Sequence, residues 1–215
     1  EPIRHALQRA EFATLWTEGP ARKVGRAEQV ELPDDADSTV RMSAARNETE
    51  ATQLVLTTTS AEGVDEVSVD VGELTGAGDT TIASENVTWS QVANVPANEG
   101  PPEGLPDALP GPHPFAAESA GNWPIWLEVY VPTGTPAGDY QAPVTVRTSE
   151  GDLECSLSLH VWDFEIPVEQ SLRTSTTIYG PWGWQDEISS WFGEMEYWDF
   201  IDNFPPGIVE MLARY

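Results

Sequence analysis

Alternating apolar and polar residues recur along most of the chain, and this pattern predicts a series of β-strands. The clearest runs are residues 38–44, 51–58, 66–74, 87–92, 125–132, 139–148 and 153–162. The last two runs flank Glu150-Gly151-Asp152, a sequence typical of a hairpin turn. Residues 12–16 predict one more strand, and residues 1–11 are compatible with a short helix. Short strands separated by turn signals predict a mostly β fold, an antiparallel β-sandwich of the immunoglobulin-like or jelly-roll type.

Prolines interrupt this pattern between residues 96 and 124. They are Pro96, Pro101, Pro102, Pro106, Pro110, Pro112, Pro114 and Pro124. Proline fixes φ and lacks the N–H that a sheet needs, so the segment predicts a long loop without regular structure. Loops of this length are usually functional or act as linkers.

The pattern changes after Pro167. Residues 172–179 predict a strand, residues 180–184 an aromatic loop, and residues 187–204 a helix with apolar positions at helical spacing. A strand, a loop and a helix in this order are typical of the first unit of an α/β domain. We therefore predict an N-terminal extension (1–11), a β-sandwich domain (12–168), and a linker with the partial start of a following α/β domain (169–215).

The charge balance is strongly acidic, with 36 Asp and Glu against 10 Lys and Arg, a net charge of −26. Such a chain repels itself at low ionic strength, whereas at molar salt the Debye length falls to about 3 Å and the repulsion is screened. Lys23 is the only lysine, which also suits concentrated salt because exposed lysine stems add apolar surface. The composition is typical of a halophilic, archaeal-type protein; the alternative is an ordinary acidic secreted domain.

The same charge excludes several partners. The sequence has no cluster of cations, which argues against nucleic acids and anionic membrane surfaces. The sequence contains no apolar run long enough to span a membrane and no signal peptide. Because the chain begins without Met, we expect an excised or processed segment, and export stays open. An extracellular or cell-surface location is slightly favoured over the cytoplasm of a high-salt cell, and the oligomeric state is not predicted.

No catalytic or metal-binding motif is present. His5, His113 and His160 lack ligand partners at suitable spacing, so no metal or other cofactor is predicted. Cys155 lies in an alternating run and is interpreted as a small buried hydrophobe rather than a reactive thiol. There is no Gly-x-Ser-x-Gly and no phosphate-binding loop.

Aromatic residues are concentrated in the last part of the chain. Trp182, Trp184 and Tyr179 are candidates for stacking against sugar rings, and the alternative is that this aromatic cluster packs in a core. Asp186-Glu187 lies beside them; a glycosidase uses two carboxylates, but acids are also favoured at a helix N-terminus. We assign no catalytic residue to this pair.

The chain resembles the N-terminal β-sandwich of glycoside hydrolase family 123 and related domains of unknown function. The stretches that carry the resemblance are LWT (15–17) with RKV (22–24), SAARNETEATQLVL (43–56), PIWLEVYVP (124–132) with PAGDY (136–140), and LHVWDFEIP (159–167) with SLRT (171–174); LPDAL (105–109) also fits. We expect Arg46 to pair with Glu48 across a corner, and Trp162 to close one end of the sandwich.

The resemblance implies an accessory, non-catalytic domain of a glycoside hydrolase that acts on N-acetylhexosamine glycans. In such enzymes an adjacent Asp-Glu pair on a following (β/α)₈ barrel assists the reaction, but Asp186-Glu187 comes too early in the chain to match it. The partners expected are therefore a glycan and the following barrel domain of the same protein. The alternatives are a stand-alone cell-surface or carbohydrate-binding module without catalysis, and a structural module with no ligand.

Overall fold

A computed structural model describes residues 4–59, 61–96 and 100–169. The chain divides into two compact units after Val168, and the described residues fall almost entirely in the first, Glu1–Val168. The expected strand, loop and helix at 172–204 lie outside the described residues.

Strands make up most of this unit. They are β1 (His5–Arg9), β2 (Ala13–Glu18), β3 (Thr39–Arg46), β4 (Glu48–Thr58), β5 (Val64–Val71), β6 (Leu74–Thr75), β7 (Thr81–Ile82), β8 (Val87–Gln91), β9 (Ala93–Val95), β10 (Leu105–Ala108), β11 (Phe115–Ala117), β12 (Gly121–Val131), β13 (Gly138–Arg147) and β14 (Leu153–Glu165). The helical content of the described residues is two short 3₁₀ turns, Ala77–Asp79 and Ser84–Asn86. The mostly β prediction is confirmed.

Two sheets enclose one core. The first has the order β1-β2-β4-β12-β8, and the second has the order β11-β5-β13-β14-β3 with β6 and β7 attached. Apolar residues at alternate positions of both sheets meet in a single buried cluster, to which Leu54 and Ile125 contribute from one sheet and Val144 and Leu157 from the other. The predicted hairpin is confirmed, since β13 pairs antiparallel with β14. The arrangement is a β-sandwich; the narrower immunoglobulin-like or jelly-roll assignment stays a prediction.

A second, smaller cluster lies on the outer face of the five-stranded sheet. Trp16, Val24 and Val55 are buried there, with Val30 and Leu32 packed against them. β4 is therefore covered on both faces, which explains why Thr52 to Leu56 form an unbroken buried run instead of alternating. The segment between β2 and β3 supplies this cover.

Three expectations about the strands are wrong. Residues 4–11 are not helical, because His5–Arg9 form β1 and bury Ala6 and Leu7 in the pairing with β2. The proline-rich segment contains β10 and β11, and β12 begins before Pro124. Pro124 lacks an N–H, but its carbonyl still accepts a hydrogen bond from the Val92 N–H at 2.9 Å.

The sandwich is also not wholly antiparallel. β3 and β14 pair in parallel, with Leu157 opposite Val40 and Val161 opposite Ala44. The register then shifts between Val161 and Glu165, where β14 runs past the end of the core. This parallel pair brings the end of β3 beside the place where the chain leaves the sandwich.

Candidate functional site

The last strand changes character where it leaves the core. From Leu153 to Val161 every second residue is buried, as expected for a strand with one face on the core. The four following strand residues are all exposed. The chain therefore leaves the sandwich as an extended segment whose side chains have no place in the domain's own core.

This segment presents large apolar side chains to solvent. Trp162 is 48% exposed, Phe164 57%, Ile166 38% and Val168 77%. We call these four residues the exit stripe. The expectation that Trp162 closes one end of the sandwich is wrong, because the core ends at Val161 and the indole lies beyond it. Clustered exposed apolar residues mark an interaction surface more often than scattered ones do.

Arg46, at the end of β3, ties this exposed segment down. Its guanidinium lies 3.3 Å from an Asp163 carboxylate oxygen and 3.9 Å from one of Glu165. It does not pair with Glu48 as expected, since the Glu48 carboxylate accepts a hydrogen bond from the Ala45 N–H at 2.6 Å. Glu165 in turn accepts a hydrogen bond from the Gly134 N–H at 2.9 Å.

Asn47 adds a second set of bonds. Its backbone has φ of 58°, a left-handed conformation that Asn adopts more readily than most residues. From this turn the side chain donates to the Ile166 carbonyl at 2.9 Å and accepts from the Tyr130 hydroxyl at 3.0 Å. The Ile166 N–H also donates to the Arg46 carbonyl at 2.9 Å. We call Arg46, Asn47, Asp163 and Glu165 the exit clamp.

The exit stripe and exit clamp form one corner of the domain, the exit corner. Three of the stretches that resemble family 123 meet here. Residues 43–56 supply Arg46 and Asn47, residues 124–132 supply Tyr130, and residues 159–167 supply both clamp acids and all of the stripe except Val168. Sequence reasoning found these stretches separately but did not bring them together.

A polar pair borders Trp162. The His160 ring meets the Trp162 ring edge-on, with centroids 4.4 Å apart and planes at 76°. The His160 Nδ1 lies 2.6 Å from a carboxylate oxygen of Asp139. The indole is therefore held on one side while its remaining surface stays in solvent.

A pocket of about 610 Å³ lies elsewhere, between residues 26–34 and the outer face of the five-stranded sheet. Its lining includes Thr14, Thr57 and Asn122 from three neighbouring strands and Arg26 and Gln29 from the covering segment. We call it the loop pocket. Nothing in the sequence pattern pointed to it, because the covering segment has no periodicity.

The other candidate residues are placed as follows. Trp182, Trp184, Tyr179 and the pair Asp186-Glu187 lie outside the described residues, so their roles stay predictions. Cys155 is buried, as predicted, and burial raises the pKa of its thiol to about 12. Across residues 4–59, 61–96 and 100–169 no three His, Cys, Asp or Glu side chains gather as metal ligands, and no helix is long and apolar enough to cross a membrane.

Comparison with known protein families identifies the family to which the chain is related. A family model described as the glycoside hydrolase 123 N-terminal domain matches residues 25–148. The chain belongs to this family. The match covers more than half of the sequence and includes the stretches 43–56 and 124–132, two of those that carry the resemblance. No match was found among curated proteins.

A solved structure of a family 123 enzyme shares the fold of this N-terminal domain. A family 123 glycoside hydrolase from Clostridium perfringens, studied for glycolipid glycan hydrolysis, is 19% identical with a TM-score of 0.56 over 62% of this chain and 24% of its own. The CooA pilin subunit from enterotoxigenic Escherichia coli is 15% identical with a TM-score of 0.34, over 60% of this chain and 91% of its own. The chain thus spans about a quarter of the length of the hydrolase that it matches.

Proposed function

We propose that this sandwich is the accessory, non-catalytic domain of a glycoside hydrolase, and that its exit corner holds the following catalytic domain in a fixed orientation. The observation that carries the proposal is the exit stripe: four exposed apolar side chains at the point where the chain leaves the sandwich. Family membership supports a hydrolase as the parent protein.

The exit clamp gives the reason why the exit stripe would fix the orientation of the following domain as well as bind it. Interdomain linkers usually permit relative motion unless the interface is large and apolar. Here Arg46 and Asn47 bind the segment from Asp163 to Ile166 through side-chain and backbone contacts. The direction in which the chain leaves is thereby tied to the sandwich, and the stripe is presented in a defined geometry.

The resemblance extends the proposal to the substrate. It implies a (β/α)₈ catalytic barrel that hydrolyses glycans containing N-acetylhexosamine, with the catalytic carboxylates on that barrel. The described residues of the sandwich would then act on the reaction only through the position of the barrel. Trp182, Trp184 and Tyr179 remain candidates for sugar stacking in the segment that follows.

A stand-alone carbohydrate-binding module is the second candidate. The exposed Trp162 indole beside the His160 and Asp139 pair favours it, because sugar rings stack on indole faces near polar groups. In that case the exit stripe would bind glycan instead of protein. The two candidates differ in what covers Trp162.

Calorimetric unfolding of the protein that carries both domains tests the proposal. We expect one cooperative transition in the parent protein, because the covered stripe couples the domains, and two separated transitions after Trp162→Ser with Phe164→Ser. Both side chains are exposed in the sandwich, so these changes should alter its own stability by only about 0.5 kcal/mol. Leu109→Ser is the matched control, since Leu109 is 47% exposed and lies in the proline-rich segment away from the exit corner. Two transitions in the parent protein, or one transition in the double variant, would contradict the proposal.

A further inference from the structure

The loop pocket is built on a chain of partly buried hydrogen bonds. The Trp16 Nε1–H donates to the Thr57 hydroxyl at 2.8 Å, and this hydroxyl donates to the Asn122 amide oxygen at 2.7 Å. The Asn122 amide N–H₂ then donates to the carbonyls of Gly25 and Glu28, both at 2.9 Å. These bonds hold the covering segment, residues 26–34, against the sheet, so the pocket is formed without a ligand.

Arg26 fixes the rim on one side. Its guanidinium carbon lies 3.0 Å above the centre of the Trp123 ring, and burial lowers the pKa of Arg26 to about 10, so the group is still charged at neutral pH. Its carbonyl accepts a hydrogen bond from the Asn122 N–H at 2.9 Å. On another side the Arg9 guanidinium donates to the Pro33 carbonyl at 2.9 Å.

The charges around the pocket balance. Two arginines, Arg9 and Arg26, and two acids, Glu28 and Asp34, line it, so its formal charge is zero in a chain whose net charge is −26. A neutral lining within a strongly acidic surface favours an uncharged ligand over an anion or a polycation. It also leaves binding little affected by salt concentration.

The remaining lining includes both polar and aliphatic groups. Thr14 and Gln29 carry a hydroxyl and an amide, whereas Val30 and Leu32 carry aliphatic groups. The volume lies within the roughly 300–1,000 Å³ of small-molecule sites. A ring with hydroxyls at its edge and C–H groups on its faces matches both kinds of group.

From this geometry we infer that the loop pocket binds a neutral saccharide of one or two rings. The choice of a saccharide over other neutral polyols rests on the proposed function, because the parent protein is a glycan hydrolase. Such a site would hold a glycan chain on the accessory domain, separate from the site where the chain is cut.

Titration of the ¹⁵N-labelled chain in molar KCl with galactose, N-acetylgalactosamine and galacturonate tests the inference. Each sugar is added to about 20 mM, well above a millimolar Kd. We expect the two neutral sugars to shift the side-chain amide signals of Asn122 and Gln29, and galacturonate to bind at least several-fold more weakly. Ala27→Trp, which fills the pocket from its exposed rim, should weaken binding at least tenfold. Ala77→Trp, exposed on a 3₁₀ turn of the other sheet, should not.

Three results would overturn the inference. They are the absence of a shift with either neutral sugar, equal sugar binding by the Ala27→Trp variant and the unsubstituted chain, and binding of galacturonate as tight as that of galactose. The amide spectrum reports whether each variant is folded, and Ala120→Trp provides a second way to fill the pocket if Ala27→Trp is not. Domain coupling in calorimetry does not depend on this pocket. A failure here therefore leaves the accessory role standing, and independent unfolding of the two domains would leave the pocket standing.

Discussion

Raising KCl from about 0.1 M to about 2 M is expected to raise the unfolding temperature of this chain by roughly 10 °C, because the Debye length falls from about 10 Å to below 3 Å and the repulsion between acids is screened. Acids outnumber cations by 36 to 10, so repulsive pairs must outnumber attractive ones. Most of the described cations already pair with carboxylates, for example Arg147 with Asp70 and Lys23 with Asp107. Salt weakens those pairs too, but exposed ion pairs contribute only about 0–1 kcal/mol each. The relief of repulsion between surplus acids should therefore outweigh the weakened ion pairs, so the unfolding temperature should rise with salt.

A rise of roughly 10 °C in unfolding temperature corresponds to about 3 kcal/mol in the free energy of unfolding. In a chain of this length each kcal/mol shifts the unfolding temperature by roughly 2–4 °C. Thermal unfolding followed by circular dichroism measures it. Replacing the exposed Glu73, Glu85 and Glu150 by Gln should raise stability at low salt and flatten the salt dependence. A flat response in the parent chain would defeat the halophilic interpretation and favour an ordinary acidic secreted domain.

Gly121→Ala is expected to be among the most destabilising single changes in the sandwich, at about 4 kcal/mol. Gly121 has φ of 138°, and a Cβ built there would lie 2.7 Å from the Arg26 carbonyl oxygen. The backbone conformation alone should cost about 2 kcal/mol for a residue with a side chain. The clash adds about 2 kcal/mol, because that oxygen is held in place by the Asn122 N–H and the loop cannot retreat without breaking the bond.

Gly138→Ala separates these two contributions. Gly138 has nearly the same φ, 141°, but its Cβ would meet no atom within 4 Å. Urea denaturation in molar KCl should give a loss of about 2 kcal/mol for Gly138→Ala, roughly half that of Gly121→Ala. Equal losses for the two variants would mean that the close approach of the covering segment to β12 contributes nothing, and that the loop pocket is not rigidly built.

Much of the fold could be predicted from alternation alone. The long strands that bury one face, such as β13 and β14, show it clearly, and their hairpin lies where the turn signal placed it. β1 could not be predicted because His5–Arg9 buries only two residues and depends on its pairing with β2. The short strands β10 and β11 could not be predicted either, because each depends on its pairing with another strand, β9 for β10 and the distant β5 for β11, and local propensity does not contain such pairings.

The exit corner shows why sites are harder to predict than strands. Arg46 and Glu48 are two residues apart, which suggested a local pair, but the true partner of Arg46 is Asp163, 117 residues later. That contact exists only because β3 and β14 run parallel, and the sequence carries no signal for this pairing. We expected Trp162 to close one end of the sandwich, but it follows Val161, the last buried residue of β14, and is therefore out of phase with the core-facing positions.

The proposal that a catalytic domain covers the exit stripe can be tested most directly by hydroxyl-radical footprinting. Modification rates of Trp162 and Phe164 would be measured in the sandwich alone and in the protein that carries both domains, with Leu109 as the internal control. We expect both aromatic residues to be protected several-fold in the longer protein while Leu109 is unchanged. Equal rates for Trp162 and Phe164 in the two proteins would contradict the account, because the stripe would then be open to solvent and free to bind something else.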